Sequence, residues 1–228
     1  MPARRPVFFF DLDDTLHDAS HAIFGVLNRR MTEFVAQHLA LDLESASRLR
    51  QHYWHRYGAT LLGMVRHHAV DPHHFLRQTH DFDIAALMRA ERGLGALLRA
   101  LPGRKVLLTN APAAYAATVV RELALHRALP RRYSIESMRV HGSFRPKPSR
   151  LMLRSMLARE RCTGAGAVLV EDSRANLKAA RALGFRTVLV APPGRGGAGR
   201  PPYVDLRIGS VLQLPRALAR LRRAAAGR

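Results

Sequence analysis

Short apolar runs alternating with helix-compatible stretches constrain this chain more than any other feature. The runs are 7–12 (VFFFDL), 105–109 (KVLLT), 134–140, 167–170 (AVLV), 186–190 (RTVLV) and 204–208. Several are apolar on both faces and rich in β-branched residues, as central strands of a parallel sheet covered by helices must be. Helix-compatible stretches lie at 112–125, 149–159, 174–183 and 215–224, with Pro112 suited to a first turn and Gly184 to a helix end. This alternation predicts an α/β fold with a doubly wound parallel sheet. Residues 16–104 separate the first two runs, too long a span for one crossover helix, and contain helical patterns at 20–39, 44–57 and 84–100. The expected organisation is therefore a core of residues 1–18 and 80–228 with a small helical cap, residues 19–79, inserted after the first strand. The stretch 192–202 (PPGRGGAGRPP) reads as a mobile loop.

A chain of 228 residues, 47% of them hydrophobic, can bury a substantial core without disulfides. Its one cysteine, Cys162, cannot form an intrachain disulfide, which favours a reducing compartment. The opening MPARRPVFFF is cut short by Asp11, so it lacks the apolar length of a secretory signal. No apolar run approaches the roughly 20 residues that span a bilayer. The expected location is the cytoplasm, with no membrane partner.

The net charge of +20 has two readings. Dispersed arginines could neutralise a nucleic-acid backbone, or they could give an enzyme surface a mild field that attracts anionic substrates. Only Lys105, Lys147 and Lys178 are lysine; the other basic residues are arginines scattered from Arg4 to Arg228. Without an aromatic-interleaved basic stretch or a nucleic-acid-binding motif, the enzyme reading is preferred. A non-catalytic basic module is the alternative of different class.

The chemistry concentrates where apolar runs end. Asp11-Leu12-Asp13-Asp14-Thr15 closes the first run, and ligands of open parallel sheets bind beyond the carboxyl ends of the strands. Three carboxylates packed there repel one another unless a cation neutralises them. If Asp11 and Asp13 converge as the chain turns, one can attack phosphorus while the other transfers protons. Thr109-Asn110 ends the second run and offers a hydroxyl and backbone N–H groups to phosphoryl oxygens. Glu171-Asp172-Ser173 ends another and offers hard oxygen ligands suited to Mg²⁺. Lys147, between Pro146 and Pro148, supplies a compact ammonium in a chain that otherwise prefers arginine.

With DxDxT at 11–15, Thr-Asn at 109–110, Lys at 147 and Glu-Asp at 171–172, the chain resembles the haloacid dehalogenase-like (HAD) superfamily over nearly its whole length. That resemblance implies an aspartyl-phosphate formed on Asp11. It gives Asp13 the role of acid and then base, Thr109 (beside Asn110) contact with the phosphoryl group, and Lys147 stabilisation of its charge. It also implies Mg²⁺ held by Asp11, the Asp13 backbone carbonyl and Asp172, with Glu171 close by. The dehalogenase branch lacks the second aspartate, whereas phosphatases and phosphomutases carry it, so Asp13 points to phosphoryl chemistry. The stretches Tyr57–Leu61 with Gly63, Thr109–Ala111, Phe144–Pro148 and Glu171–Ser173 with Asn176-Leu177 are similar to pyrimidine 5′-nucleotidases, a family that often carries aspartate where Glu171 stands. This narrower likeness implies a nucleoside monophosphate such as UMP or CMP as substrate. Small phosphorylated metabolites such as phosphoglycolate or sugar phosphates, or a mutase reaction, are the alternatives.

Other features read more plainly. The pairs His67-His68 and His73-His74, with His80, lack the spacing of a metal site. The glycines of 194–199 precede prolines, not a helix, and so do not make a dinucleotide loop. Tyr53, Trp54 and Tyr57 can be cap core or can stack on a base, and His17 can border the substrate pocket.

Overall fold

The computed structural model describes residues 5–89, 91–192, 194 and 199–226; within the glycine-rich stretch 192–202, residues 193 and 195–198 lie outside them. Strand β1 (Val7–Phe10) is followed by helices α1 (Ile23–Leu39), α2 (Leu43–Tyr57), α3 (Thr60–His68), α4 (Pro72–Thr79) and α5 (Leu94–Ala100). Then come β2 (Arg104–Leu108), α6 (Ala113–Glu122), β3 (Arg131–Tyr133), β4 (Arg139–Val140), β5 (Ser143–Phe144) and α7 (Arg150–Arg159). The chain ends with β6 (Ala167–Glu171), α8 (Arg174–Arg181), β7 (Arg186–Val190), β8 (Leu206–Ile208) and α9 (Leu214–Ala226).

Six strands form one parallel sheet in the order β3-β2-β1-β6-β7-β8. Alternation along β1 decides the layers. Phe8 and Phe10 join one core with Leu98, Tyr115, Val119 and Leu214, while Val7 and Phe9 join the other with Met152, Met156, Leu177 and Phe185. Side chains of a strand project alternately to either face, so an unbroken run of buried residues requires helices on both. The expected doubly wound α/β sheet is present. Chain order runs outward from β1 on one side and from β6 on the other, which makes their junction a switch point where ligands bind.

Two expectations are corrected. The run at 134–140 is not the third strand: residues 135–137 form a 3₁₀ turn, and the strand is Arg131–Tyr133, one element earlier. This strand lies at the sheet edge, where charged residues are tolerated because only one side must pair. Buried Glu160 anchors it by accepting hydrogen bonds from Arg131 (3.0 Å), Tyr133 (2.8 Å) and Arg104 on neighbouring β2 (3.1 Å). The single helix expected over 84–100 is broken into a 3₁₀ turn at Ala85–Leu87 and the later helix α5, which starts after Gly93 at φ 86°. Smaller shifts affect several ends; α6, for example, begins after Pro112, which is its N-cap.

Helices α1–α4 surround a third apolar cluster containing Val35, Ala46, Tyr53, Leu61, Met64, Val70 and Phe75. Gly63 is required within it, since a Cβ there would lie 2.1 Å from the Tyr53 ring. Ile135 and Phe144, from the sheet-bearing part of the chain, also pack into this cluster. The Arg139 guanidinium lies over the Phe144 ring, 4.4 Å from its centroid, and the ring of His73 in α4 meets it edge-wise at 6.5 Å. No helix among the described residues is long and apolar enough to cross a membrane.

Candidate active site

The carboxyl ends of β1 and β6 lie level, because Phe10 pairs with Val170 and the Asp11 N–H donates to the Val170 carbonyl at 3.0 Å. This register sets Asp11 beside Glu171 and Asp172. The three carboxylates contribute oxygens within 4.8 Å of one another. Lys147 reaches in from the loop before α7; its Nζ donates to Asp11 Oδ1 at 2.6 Å and Glu171 Oε2 at 2.7 Å. Lys147 and Glu171 are 2% and 1% exposed, so these charges sit in a low-dielectric environment.

Burial, reinforced by Glu171, holds the Asp11 carboxyl well above its usual pKa. Burial likewise raises Glu171, against the lowering effect of Lys147 and with a further rise from Asp172. Asp172 is pushed up to about 7, chiefly by burial and then by the charge of Asp11. Burial alone would lower the Lys147 ammonium, but Asp11 and Glu171 outweigh it and raise its pKa. One ammonium cannot offset three ionised carboxylates, so the group is pushed toward protonation. Hard oxygen donors crowded this closely, with protonation favoured, fit a small divalent cation such as Mg²⁺.

Asn110 takes a place that sequence reasoning did not assign. Its Nδ2 donates to the Lys147 carbonyl at 3.0 Å, and its Oδ1 accepts from the Lys147 N–H at 2.9 Å. The Asn110 side chain thus clamps the backbone of the lysine. Thr109, 1% exposed, uses Oγ1 to accept the Ala111 N–H at 3.0 Å. Gly58, at φ 83° after α2, brings the helical segment onto the same loop; a Cβ there would lie 3.4 Å from Pro148 and 3.5 Å from the Lys147 carbonyl. The stretch beginning at Tyr57 therefore abuts the lysine.

Asp13 stands apart from the three-carboxylate group. Its Oδ1 accepts the Tyr115 hydroxyl at 2.6 Å and the His17 Nε2–H at 2.9 Å. A tight turn after β1, in which the Leu16 N–H donates to the Leu12 carbonyl at 2.8 Å, returns His17 to Asp13. Asp14, at φ 55°, supports this turn by accepting the backbone N–H (2.8 Å) and the hydroxyl of Ser20. His17 is buried beside Asp13. The edge of His80 meets the Tyr115 ring at 5.7 Å, and burial lowers its pKa to about 4, keeping it neutral. Nothing in the sequence marked Tyr115, which sits inside the helix-forming run AAYAATVV.

The aromatic trio divides. Tyr53 lies in the helical core, Trp54 is 55% exposed, and the Tyr57 hydroxyl is 2.6 Å from His67 Nε2. His68 Nε2 is 2.7 Å from the Tyr53 hydroxyl, so both histidines of this pair serve tyrosines.

Comparison with known proteins agrees with this architecture. A family model described as haloacid dehalogenase-like hydrolase matches residues 6–184. The HAD phosphatase of Thermococcus onnurineus superposes with a TM-score of 0.62 at 17% identity, over 93% of this chain and 97% of that one. A 2-haloacid dehalogenase of Pseudomonas syringae pv. Tomato gives 0.60 at 22%, over 95% and 99%. Among curated proteins, Phosphate metabolism protein 8 of Saccharomyces cerevisiae is 33% identical over 70 residues, 31% of this chain. The match spans 22% of that protein's length. With a family model covering most of its length and a sheet that places Asp11, Lys147, Glu171 and Asp172 together, this chain belongs to the haloacid dehalogenase-like hydrolases.

Proposed function

We propose that the protein is a magnesium-dependent phosphomonoesterase that works through an aspartyl-phosphate on Asp11, with pyrimidine nucleoside 5′-monophosphates as its substrates. The observation that carries this reading is the buried ion-pair cluster of Lys147 with Asp11 and Glu171, beside Asp172. Such a cluster is costly to fold and suits a site that must receive a cation and a phosphoryl group. Asp11 attacks phosphorus and the ester P–O bond breaks, while Asp13 gives its proton to the departing oxygen. Asp13 then takes a proton from water as the water oxygen attacks phosphorus, which releases inorganic phosphate and restores Asp11. Lys147 offsets negative charge on the phosphoryl oxygens, and Thr109 orients the group. Asp11, the Asp13 carbonyl and Asp172 would hold Mg²⁺, with Glu171 close; when bound, the ion neutralises carboxylate and phosphoryl charge.

In this reading residues 19–79 are a cap, and the segment from Tyr57 to Leu61, pressed against the Lys147 loop through Gly58, closes over the nucleoside. The presence of Asp13 favours phosphoryl transfer over dehalogenation. The test is hydrolysis of UMP, CMP, AMP and phosphoglycolate at equal concentration with Mg²⁺. UMP or CMP is expected to give the highest kcat/KM; a tenfold advantage for phosphoglycolate, about 1.4 kcal/mol of discrimination, overturns the nucleotide assignment.

Metal dependence has a thermodynamic signature. Between pH 3.8, the ordinary Asp value, and about 7, folded Asp172 retains a proton that the unfolded chain has lost. The metal-free protein therefore loses stability as pH rises through this window. Added Mg²⁺ should raise Tm by several degrees at pH 7.5, and the gain should shrink toward pH 5 because the ion must displace the proton. An equal shift at both pH values, or none, contradicts metal binding by this cluster.

A further inference from the structure

Both hydrogen bonds to the Asp13 carboxylate end on the same oxygen. The Tyr115 hydroxyl and the His17 Nε2–H occupy Oδ1, and none among the described residues ends on Oδ2. The donors come from different places: Tyr115 from α6, behind the second strand, and His17 from the turn that leaves the first. Both are buried, at 3% and 4% exposure, while the Asp13 side chain keeps 16% of its surface open. Tyr115 is fixed by its own packing among the sheet-facing apolar residues and by the His80 edge. A carboxylate held by two rigid donors on one oxygen has little freedom to rotate, and its second oxygen is the one left for a reaction partner.

We propose that Tyr115 is a positioning residue that, together with His17, locks Asp13 through Oδ1 and presents Oδ2 for proton transfer with the leaving group and with water. This rests on the assignment of Asp13 as the acid and base. The lock acts on a step after substrate has bound, because the hydrogen bonds of Thr109, Lys147 and its Asn110 clamp do not involve Tyr115. Its loss is therefore a loss of kcat and not of KM.

The experiment compares wild type with Tyr115→Phe, which removes one oxygen and keeps the ring against His80, using p-nitrophenyl phosphate and UMP. The expected result is a kcat lower by roughly ten- to a hundredfold, with KM within about twofold and Tm nearly unchanged. The loss should be larger for UMP, whose alkoxide leaving group needs the proton more than p-nitrophenolate does. His17→Phe, which removes the other donor, should give the same kcat-selective loss. Unchanged kcat in Tyr115→Phe overturns the proposal, as does a fall in kcat matched by a rise in KM or a large drop in Tm, the marks of a merely structural role. If wild type turns over and Asp13→Asn retains full activity, the acid–base assignment fails and the lock with it. An active wild type, an inactive Asp13→Asn and an unaffected Tyr115→Phe overturn the lock alone.

Discussion

Asp11→Asn should abolish turnover of every phosphomonoester while leaving the protein at least as stable as wild type. The substitution keeps size and shape but removes the only atom in the proposal able to form the covalent bond to phosphorus. Losses for a missing nucleophile are on the order of 10⁴-fold or more in kcat. The stability half of the expectation follows from electrostatics. Asp11 is buried with its pKa well above the ordinary value, so the fold disfavours its charged form. A neutral amide removes repulsion with Glu171 and Asp172 and can still accept the Lys147 hydrogen bond through its carbonyl oxygen. Function and stability then move in opposite directions, as expected where a site is arranged for chemistry at the expense of the fold. Single-turnover assays and thermal melts in chelator measure the two halves. Activity within tenfold of wild type removes Asp11 from the mechanism, and a melt several degrees lower shows that its carboxylate serves the fold.

The parts that could be read in advance share a physical cause. Phe8, Phe9 and Phe10 are apolar without interruption because β1 is covered on both faces, and a run of that kind ending in Asp11 can hardly be a surface feature. Lys147 stood out because a chain that uses arginine almost everywhere keeps an ammonium there, and one Nζ does reach two carboxylates. The failures are also physical. Arg131–Tyr133 was missed because an edge strand need not be apolar, and its anchor, Glu160, lies 27 to 29 residues away. Tyr115 escaped because its hydrogen bond to Asp13 crosses 102 residues of sequence. Within its helix it differs from core only by one hydroxyl. The Asn110 clamp escaped too, because sequence shows the residue type but not the direction of its amide, which faces Lys147 across 37 residues of sequence.

Lys147→Met should cost both activity and stability, and the second cost should depend on pH with a definite sign. Lys147 gives the only cationic hydrogen bonds recorded for Asp11 and Glu171 among the described residues, and all three are nearly or fully enclosed. Removing one partner of a buried ion pair typically costs about 3–5 kcal/mol, because the remaining charge is left uncompensated. Here two carboxylates are left. In wild type Lys147 lowers the pKa of both; without it both rise further, and the folded state holds protons that the unfolded chain releases. Stability of the variant therefore falls as pH rises above the ordinary carboxylate range, and recovers on acidification until the unfolded chain is protonated as well. Thermal melts from pH 5 to 8 should show the Tm deficit widening with pH. Turnover should fall by on the order of 10³-fold, the scale of a lost electrostatic donor to the transition state. Lys147→Arg should not restore it, because a planar guanidinium is bulkier than the compact ammonium that makes contacts of 2.6 and 2.7 Å in a buried site bordered by the Asn110 clamp and Gly58. A Tm deficit that is the same at pH 5 and pH 8, or arginine with wild-type turnover, would show that Lys147 is not the counter-charge on which Asp11 depends.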